Sequence, residues 1–356
     1  MFVVMGAAVD KNHETGNYIV TIETMTPKGA KETKMITQII SSEGETIFDA
    51  IRSAIKKSGR KMYWGHAVLW IISKEVAEEG ILPVIDMINR SKEIRPDILV
   101  VVSNNAPSSL IFSKMDQIND SVSKHLYDMF IESKSAGKYR EVPLWKTVND
   151  MSDQAVSLTL PMIEIDKNVN IFQVGATRSA VFKGEKMAGE INEIETRSTL
   201  ILRRELKNRF ILAIPAAKKD GLPASSLEVT SSTTKIIVNL YDGKPQINIS
   251  STFWGNITEL QSSKNYFTEA NRFILEKEYA DLIKKQMKTV ILKAQKELKL
   301  DIFGFGKEIR IQKPGLWKGI ENNWNDYFEN LECSTEVRVK ITGSGMEMKP
   351  MKVGGE

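Results

Sequence analysis

The sequence predicts an α+β fold of three mixed α/β domains, with mixed or antiparallel sheets and one long C-terminal helix. Several short segments alternate apolar and polar residues, the period of half-buried strands. Other segments repeat their apolar residues at helical spacing, and the longest of them runs from Tyr266 to Lys299. At 356 residues the chain is longer than one ordinary core supports, so more than one domain is expected.

Composition shifts and turn signals divide the chain into three domains and a tail. We expect an N-terminal α/β domain over 1–105, a middle, mostly helical domain or linker domain over 106–168, and a C-terminal α+β domain over 169–345. The turn sequence NNAP at 104–107 marks the first boundary. The tail over 346–356 contains glycine and lysine and is expected to be flexible, as chain ends commonly are.

The N-terminal block begins with three predicted strands. They cover residues 1–9, 17–26 and 34–41. The second alternates Tyr18, Val20 and Ile22 with Thr21 and Glu23, which predicts a strand with one buried and one solvated face.

Helices with clear start and stop signals follow in the same block. Residues 45–58 predict a helix that ends at Gly59, since glycine is favoured just after a helix. Ser73 is placed to cap a second helix, which Gly80 ends, and residues 82–89 predict a third. Two buried strands complete the block, over 66–72 and 98–102.

The rest of the chain alternates helices and hairpins. Helical spacing covers 108–134 and 143–151, and 155–165 reads as an extended segment with Pro161 at a strand edge. Further on, FKGEKM (182–187) and Asp242-Gly243 predict hairpin turns. The remaining predicted elements are a helix over 192–206, strands over 210–214, 226–241 and 244–257, the long helix, and a closing strand over 335–342.

Charge and composition exclude several classes of protein. The 49 basic and 45 acidic residues leave a net charge of +4, too small for a surface that follows nucleic-acid phosphates. We therefore expect no nucleic-acid partner. No segment approaches the ~20 consecutive apolar residues of a membrane span, and the apolar start of the chain reads as a strand and not as a signal peptide.

The sequence carries no recognisable catalytic or cofactor motif. The three histidines, His13, His66 and His125, lack metal-ligand spacing, and the single cysteine, Cys333, is expected to be a buried small apolar residue. Phosphate-binding loops, nucleophile elbows and dinucleotide fingerprints are missing. We therefore predict no catalytic, metal or cofactor site and no enzymatic activity.

Six residues form the tentative partner or ligand surface. Indole rings contribute strongly to protein interfaces, so a tryptophan cluster left partly exposed would anchor another protein, although most of the six tryptophans are expected in the core. Trp317 and Trp324 lie seven residues apart, which places them on one face if the stretch is helical. The proposed residues are Arg60, Trp64, His66, Trp70, Trp317 and Trp324.

Several short blocks carry a resemblance to a known family. They include GAAVDK at 6–11, GRKMYWGHAVLWIISKEVAEEG at 59–80, GATRSAVFKGEKMAGEINEIE at 175–195 and WKGIENNWNDYF at 317–328. Together and in this order they resemble the C subunits of spore germinant receptors, the Ger(x)C lipoproteins, essentially from end to end.

The resemblance implies a non-enzymatic subunit that triggers spore germination together with two integral-membrane subunits, the receptor A and B subunits. It implies a location on the outer face of the spore inner membrane, held there by an N-terminal lipid anchor. This chain has no leader and no acylated cysteine near its start, so we expect it to be the soluble part of such a lipoprotein.

Two alternatives remain open at this point. The chain could be an extracytoplasmic domain that binds a small-molecule germinant in an interdomain cleft, with Trp64, Trp70, Arg60 and His66 as its lining. It could also be a carboxylate-based glycan hydrolase, which would need two carboxylates facing one cleft at about 5–10 Å.

Overall fold

The structure is a computed structural model, and its described residues form two compact units. It describes residues 1–28, 34–104, 106–113, 121–132, 140–165, 172–173, 178–206, 209–215, 223–262, 266 and 268–343. Among these residues, the N-terminal unit spans Met1 to Glu193 and the C-terminal unit begins at Ile194. The mixed α/β architecture and the long C-terminal helix confirm the predicted fold class. The three-domain boundaries stay a prediction, and the tail over 346–356 lies outside the described residues.

A ten-stranded mixed sheet organises the N-terminal unit. Its order is β10-β9-β7-β6-β5-β1-β2-β3, while β4 pairs with β1 and β8 with β7. The pairs β1–β5, β5–β6 and β6–β7 are parallel, and β1–β2, β2–β3, β7–β9 and β9–β10 are antiparallel. The strands are β1 (Phe2–Lys11), β2 (Tyr18–Lys28), β3 (Lys34–Gly44), β4 (Met62–Tyr63), β5 (Leu69–Ser73), β6 (Leu99–Ser103), β7 (Thr159–Ile165), β8 (Phe172–Gln173), β9 (Arg178–Lys183) and β10 (Lys186–Asn192).

Helices cover both faces of this sheet. The helices are α1 (Ile47–Ser58), α2 (Lys74–Glu79), α3 (Leu82–Arg90), α4 (Ser108–Ser113), α5 (Val122–Glu132) and α6 (Leu144–Ser152). Apolar side chains of α1, α2, α3 and α6 join one core cluster, and those of α4 and α5 join a second. Because both faces are covered, every residue of β5 and β6 is buried, which explains their continuous apolar sequences.

The predicted helix ends are confirmed by their capping geometry. The Ser73 hydroxyl accepts a hydrogen bond from the Val76 amide at the start of α2. Gly59 ends α1 in the left-handed region, with φ of 66°, and its amide donates to the Ile55 carbonyl. Glycine is favoured there because a side chain would be strained at this φ.

Strand β2 departs from the predicted half-buried pattern. Thr21 and Glu23 were expected on a solvated face, and the structure buries both. Apolar and polar residues do alternate along β2, but α4 and α5 cover the polar face, which was expected to face solvent. The polar side chains on that face are therefore inside the unit and need partners within the protein.

The expected edge position of Pro161 is wrong. Strand β7 lies inside the sheet, between β6 and β9. Pairing with β9 covers Thr159 to Pro161, whereas pairing with β6 begins at Met162. The proline thus stands where the strand changes partner, so its missing amide hydrogen breaks no ladder at that point.

The C-terminal unit combines a four-stranded sheet with a helical cluster. The sheet order is β11-β12-β13-β14, with β13 and β14 parallel and the other pairs antiparallel. A two-residue turn joins β12 to β13, and Asp242 and Gly243 both have positive φ there, as that turn requires. The elements are α7 (Glu193–Leu202), β11 (Phe210–Ile214), β12 (Ser225–Tyr241), β13 (Lys244–Leu260), α8 (Glu269–Lys293), α9 (Phe305–Gln312), α10 (Pro314–Ile320), α11 (Trp324–Glu329) and β14 (Glu332–Gly343).

The long helix buries only part of the stripe that its sequence indicates. From Ile283 onward the predicted stripe of α8 is buried, as expected, through Met287, Val290 and Ile291, whereas Leu292 beside it is exposed. The helix continues into one π-helical turn, Ala294–Leu298. Near its start, Leu275 and Tyr279 are buried while Phe273 and Ile274 are exposed. The apolar sequence is therefore wider than the face that packs on the sheet, and it leaves an aromatic ring at the surface.

Candidate functional site

Trp64 and Trp70 belong to the core of the N-terminal unit. Their rings stack with centroids 5.5 Å apart, and Trp70 is fully buried in β5. Trp64 follows β4 and is 7% exposed. The pair therefore contributes packing, and only Trp64 reaches the edge of a cavity.

Arg60 and His66 are exposed and face different neighbours. The guanidinium of Arg60 lies 5.1 Å from the centre of the Phe2 ring, a cation–π contact. His66 contacts the edge of the Tyr63 ring, with centroids 5.8 Å apart. Among Arg60, Trp64, His66 and Trp70, only Trp64 lines the groove described below. A common ligand role for the four stays a prediction.

Trp317 and Trp324 lie in the core of the C-terminal unit. Their rings meet edge to face, 5.5 Å apart, as the seven-residue spacing predicts. Both are buried, and Trp324 also packs on Phe328. The expectation that most tryptophans are core residues is confirmed, and Trp145 on α6 is the most exposed of the six, at 52%. Whether any of them contacts a partner stays a prediction.

Two other arginines of the N-terminal unit form ion pairs with residues close to them in the chain. Arg90 pairs with Asp86 on the preceding turn of α3, and Arg95 pairs with Asp97. Both pairs are solvent-exposed, so each contributes little to stability.

A groove in the N-terminal unit has a mainly apolar lining. Its volume is about 650 Å³. One wall is α1 and the other is the end of α3 with the loop after it, while the segment around β4 forms the floor. The lining residues are Phe48, Ile51, Arg52, Ile55, Lys61, Met62, Trp64, Asp86, Met87, Arg90, Ser91, Lys92, Glu93 and Ile94.

The groove was not predicted from the sequence, although one signal in α1 pointed toward it. Phe48 was not assigned to the apolar face of α1, and it is 55% exposed on the lip of the groove. Arg52, one turn later, places its guanidinium 5.0 Å from the centre of the Phe48 ring. An aromatic residue followed four positions later by arginine on a helix indicates such a contact.

Two buried carboxylates attach α4 and α5 to the sheet. Glu23 of β2 accepts hydrogen bonds from the Ser121 hydroxyl at 2.7 Å, the Val122 amide at 2.6 Å and the Ser123 amide at 2.8 Å. Asp10 of β1 accepts from the first amides of α4 in the same way. A negative charge at a helix N-terminus is favourable because the first amides are unpaired and the helix dipole is positive there.

A third buried carboxylate organises the entry to α9 in the C-terminal unit. Asp301 accepts hydrogen bonds from the amides of Phe303, Gly304 and Gly306 at 2.8–3.0 Å. Burial raises its pKa, and these backbone hydrogen bonds act in the opposite direction. The Asp301 carboxylate therefore fixes the turn before α9, and its hydrogen-bond partners are the backbone amides of that turn.

Other buried acidic groups are paired with cations. Asp150 and Arg140 form a buried pair, 2.9 Å between Oδ2 and the guanidinium nitrogen. Glu195 lies 2.8 Å from the Lys293 ammonium. Within the described residues, no three histidine, cysteine, aspartate or glutamate side chains gather as metal ligands do.

Cys333 on β14 has the environment of a structural thiol. Its thiol donates to the Leu331 carbonyl at 3.6 Å. Burial raises its pKa to about 12, and the charge of Asp301 adds to this. The thiolate, which is the reactive form, is therefore disfavoured at neutral pH.

Two models of one protein family together cover nearly the whole chain. The model described as "Spore germination protein N-terminal domain" matches residues 1–165, and "Spore germination B3/ GerAC like, C-terminal" matches residues 177–345. Their order is the order of the two compact units. The chain belongs to the family of spore germinant receptor C subunits.

Several curated members of this family resemble the chain over most of its length. Spore germination protein KC of Bacillus subtilis is 23% identical over 98% of this chain and 91% of its own length. Spore germination protein A3 of the same organism is 24% identical over 96% of this chain and 91% of its own length, and GerQC of Bacillus cereus is 22% identical over 87% and 83%. A role in spore germination follows from this membership.

One solved structure has the same fold. The crystal structure of the GerBC protein matches with a TM-score of 0.59 at 17% identity, covering 95% of this chain and 97% of that one. In the described part of this germinant receptor C subunit, no helix is both long and apolar enough to cross a membrane.

Proposed function

We propose that this C subunit is a non-enzymatic assembly protein of a germinant receptor. It is held by an N-terminal lipid anchor on the outer face of the spore inner membrane and docks on two integral-membrane subunits, the receptor A and B subunits. The observation that carries this proposal is the family match, because it covers residues 1–165 and 177–345 and so reaches both units.

The hydrogen-bond and ion-pair partners of the buried carboxylates support a non-enzymatic role. Glu23 and Asp301 are committed to backbone amides, and Asp150 is committed to Arg140. An acid–base catalyst needs a carboxyl group within hydrogen-bond reach of a substrate. These groups stabilise helices and turns of their own units.

Exposed apolar side chains offer surfaces for partner subunits. The tip of the β12–β13 hairpin presents Leu240 and Tyr241, the latter 72% exposed, and α8 presents Phe273. In the N-terminal unit, the edge strand β3 exposes Met35 and Ile39 and pairs with β2 on its other side. Aromatic rings and open strand edges are common protein-binding features.

The tentative residues find two different places in this proposal. Arg60 and His66 are exposed and contribute direct polar contacts to a partner. Four of the residues are buried tryptophans, and their rings support the backbone beneath the partner surface. These are Trp64 and Trp70 in the N-terminal unit and Trp317 and Trp324 in the C-terminal unit.

A deletion with complementation tests the proposal in spores. Removing the protein should abolish germination through its receptor, and the wild-type chain should restore it. A variant with Tyr241→Ser and Phe273→Ser should fold but restore germination poorly, because both rings are exposed. Normal germination without the protein would contradict the proposal.

The anchor is tested separately by detergent partition and mass spectrometry. The native protein taken from spores should enter the detergent phase and carry an acylated N-terminal cysteine. An unmodified protein in the aqueous phase would refute the anchor but not the assembly role. One acyl chain holds only weakly, so partner contacts are expected to add to the anchoring.

A further inference from the structure

The groove of the N-terminal unit has the dimensions of a small-ligand site. Its volume of about 650 Å³ lies in the middle of the ~300–1,000 Å³ that such sites occupy. Its floor and walls carry the apolar side chains Ile51, Ile55, Met62, Trp64, Met87 and Ile94. Each is at least half-buried, so an apolar ligand would complete a surface that the fold already shields from water on one side.

The charges on the rim favour an anionic ligand. Arg90 is neutralised by Asp86, and Lys61 lies 3.4 Å from Glu93. The other two cations of the rim are Arg52 and Lys92, and neither has a carboxylate partner among the described residues.

Arg52 is also held in place at the lip. Its guanidinium lies over the Phe48 ring, a cation–π contact that favours this position without neutralising the charge. A planar guanidinium offers paired donors that match the two oxygens of a carboxylate. Lys92, exposed on the loop across the groove, adds a second positive charge.

We propose that this groove binds a small, free carboxylate with an apolar body. Arg52 and Lys92 hold the carboxylate at the rim, and the apolar body lies over Met87 and Trp64. Asp86 and Glu93 on the same rim would repel an anionic membrane surface, whereas a single small anion can avoid them. The site is independent of the proposed assembly role, and either can fail without the other.

Three probes of equal length separate charge from apolar contact. Octanoate, 1-octanol and octylamine share the same chain and differ only at the head group. The full chain, labelled at isoleucine and methionine methyl groups, is titrated with each and followed by NMR. Octanoate should bind about tenfold more tightly than octanol, and octylamine more weakly than either, as two partly exposed charges allow. Shifts should be confined to the methyl groups of Ile51, Ile55, Met62, Met87 and Ile94.

Matched variants assign the effect to the rim and the floor. The double variant Arg52→Ala/Lys92→Ala should lose the preference for octanoate over octanol, since it removes both uncommitted charges. Lys56→Ala serves as the control, because Lys56 is exposed on α1 but does not line the groove. Met87→Trp should block all three probes by filling the groove, and the wild-type methyl spectrum elsewhere verifies that each variant folds.

Each outcome decides the proposal. A preference for octanoate that disappears in the double variant and survives in Lys56→Ala supports it. Equal binding of octanoate and octanol, shifts elsewhere in the chain, or no binding up to millimolar concentration would overturn it. Vesicles of anionic phospholipid should not shift these methyl groups, and a vesicle-induced shift that needs Arg52 would overturn the assignment to a free ligand.

Discussion

Replacing Glu23 by glutamine tests how the second helical layer is attached to the sheet. The carboxylate of Glu23 accepts three hydrogen bonds of 2.6–2.8 Å at the start of α5 and is fully buried. Glutamine has the same shape but only one acceptor oxygen, so its amide group must face an N–H or O–H donor. At least one bond to a charged acceptor is lost, about 1.5–3 kcal/mol, and one buried donor is left unpaired, about 1–3 kcal/mol.

The net effect is smaller than this sum, because burying a neutral amide costs less than burying a charge. We expect a loss of about 2–4 kcal/mol in the stability of the N-terminal unit, a large part of the ~5–15 kcal/mol typical of a domain. Urea unfolding measures the loss, and hydrogen exchange should show faster exchange of the α5 amides. Glu45→Gln, a matched change at an exposed position, should alter stability by less than about 0.5 kcal/mol. A Glu23→Gln variant within about 1 kcal/mol of wild type, with α5 still protected, would refute the reasoning.

Three further predictions concern packing, a thiol and a buried ion pair. Gly6→Ala should lower the stability of the N-terminal unit by about 1–3 kcal/mol, because the added Cβ would lie 2.1 Å from a serine hydroxyl oxygen and 2.9 Å from a backbone oxygen. Gly315→Ala is the control: its Cβ would meet open space, and thermal unfolding should show a gain of about 0.5–1 kcal/mol. The Cys333 pKa, raised by burial from an ordinary 9.0 to about 12, predicts slow alkylation at pH 8 in the folded chain and fast alkylation in urea. Because the pKa of this thiol is higher in the folded chain than in the unfolded chain, the protonated thiol stabilises the fold fully below pH 9.0. This stabilisation is lost as the pH rises toward 12. Arg140→Met should cost about 3–5 kcal/mol, because it removes the cation that pairs with the buried Asp150 carboxylate. Adding Asp150→Asn should recover part of that loss, and simple additivity of the two changes would argue against the pairing.

Local signals in the sequence predicted the elements of the fold well. Caps and turns are specified by neighbouring residues, so Gly59, Ser73 and the Asp242-Gly243 turn were assigned from the sequence alone and are confirmed. The buried runs of β5 and β6 were equally clear, since strands covered on both faces are apolar throughout.

Errors arose where burial depends on distant parts of the chain. Alternation in β2 shows which face is more apolar, but the cover over Glu23 comes from α5, about a hundred residues later. The same limit applies to the exposed ring of Phe273, whose spacing fits the buried stripe of α8.

The candidate site was even harder to predict from the sequence. Tryptophan content indicated binding potential, yet Trp70 and Trp324 proved to be core residues. The groove is assembled from three separated segments, and Arg52 and Lys92 look like ordinary surface cations until the structure shows which carboxylates are already paired.

Co-purification from spores tests the central claim, that the chain is an assembly subunit of a membrane receptor. The native protein, tagged at its C-terminus and expressed at its normal level, is extracted in mild detergent and analysed by quantitative mass spectrometry. We predict two integral-membrane subunits in near-equal amounts, reduced by the Tyr241→Ser/Phe273→Ser double variant and unaffected by Arg52→Ala/Lys92→Ala. Recovery of the protein without either membrane subunit would contradict the claim.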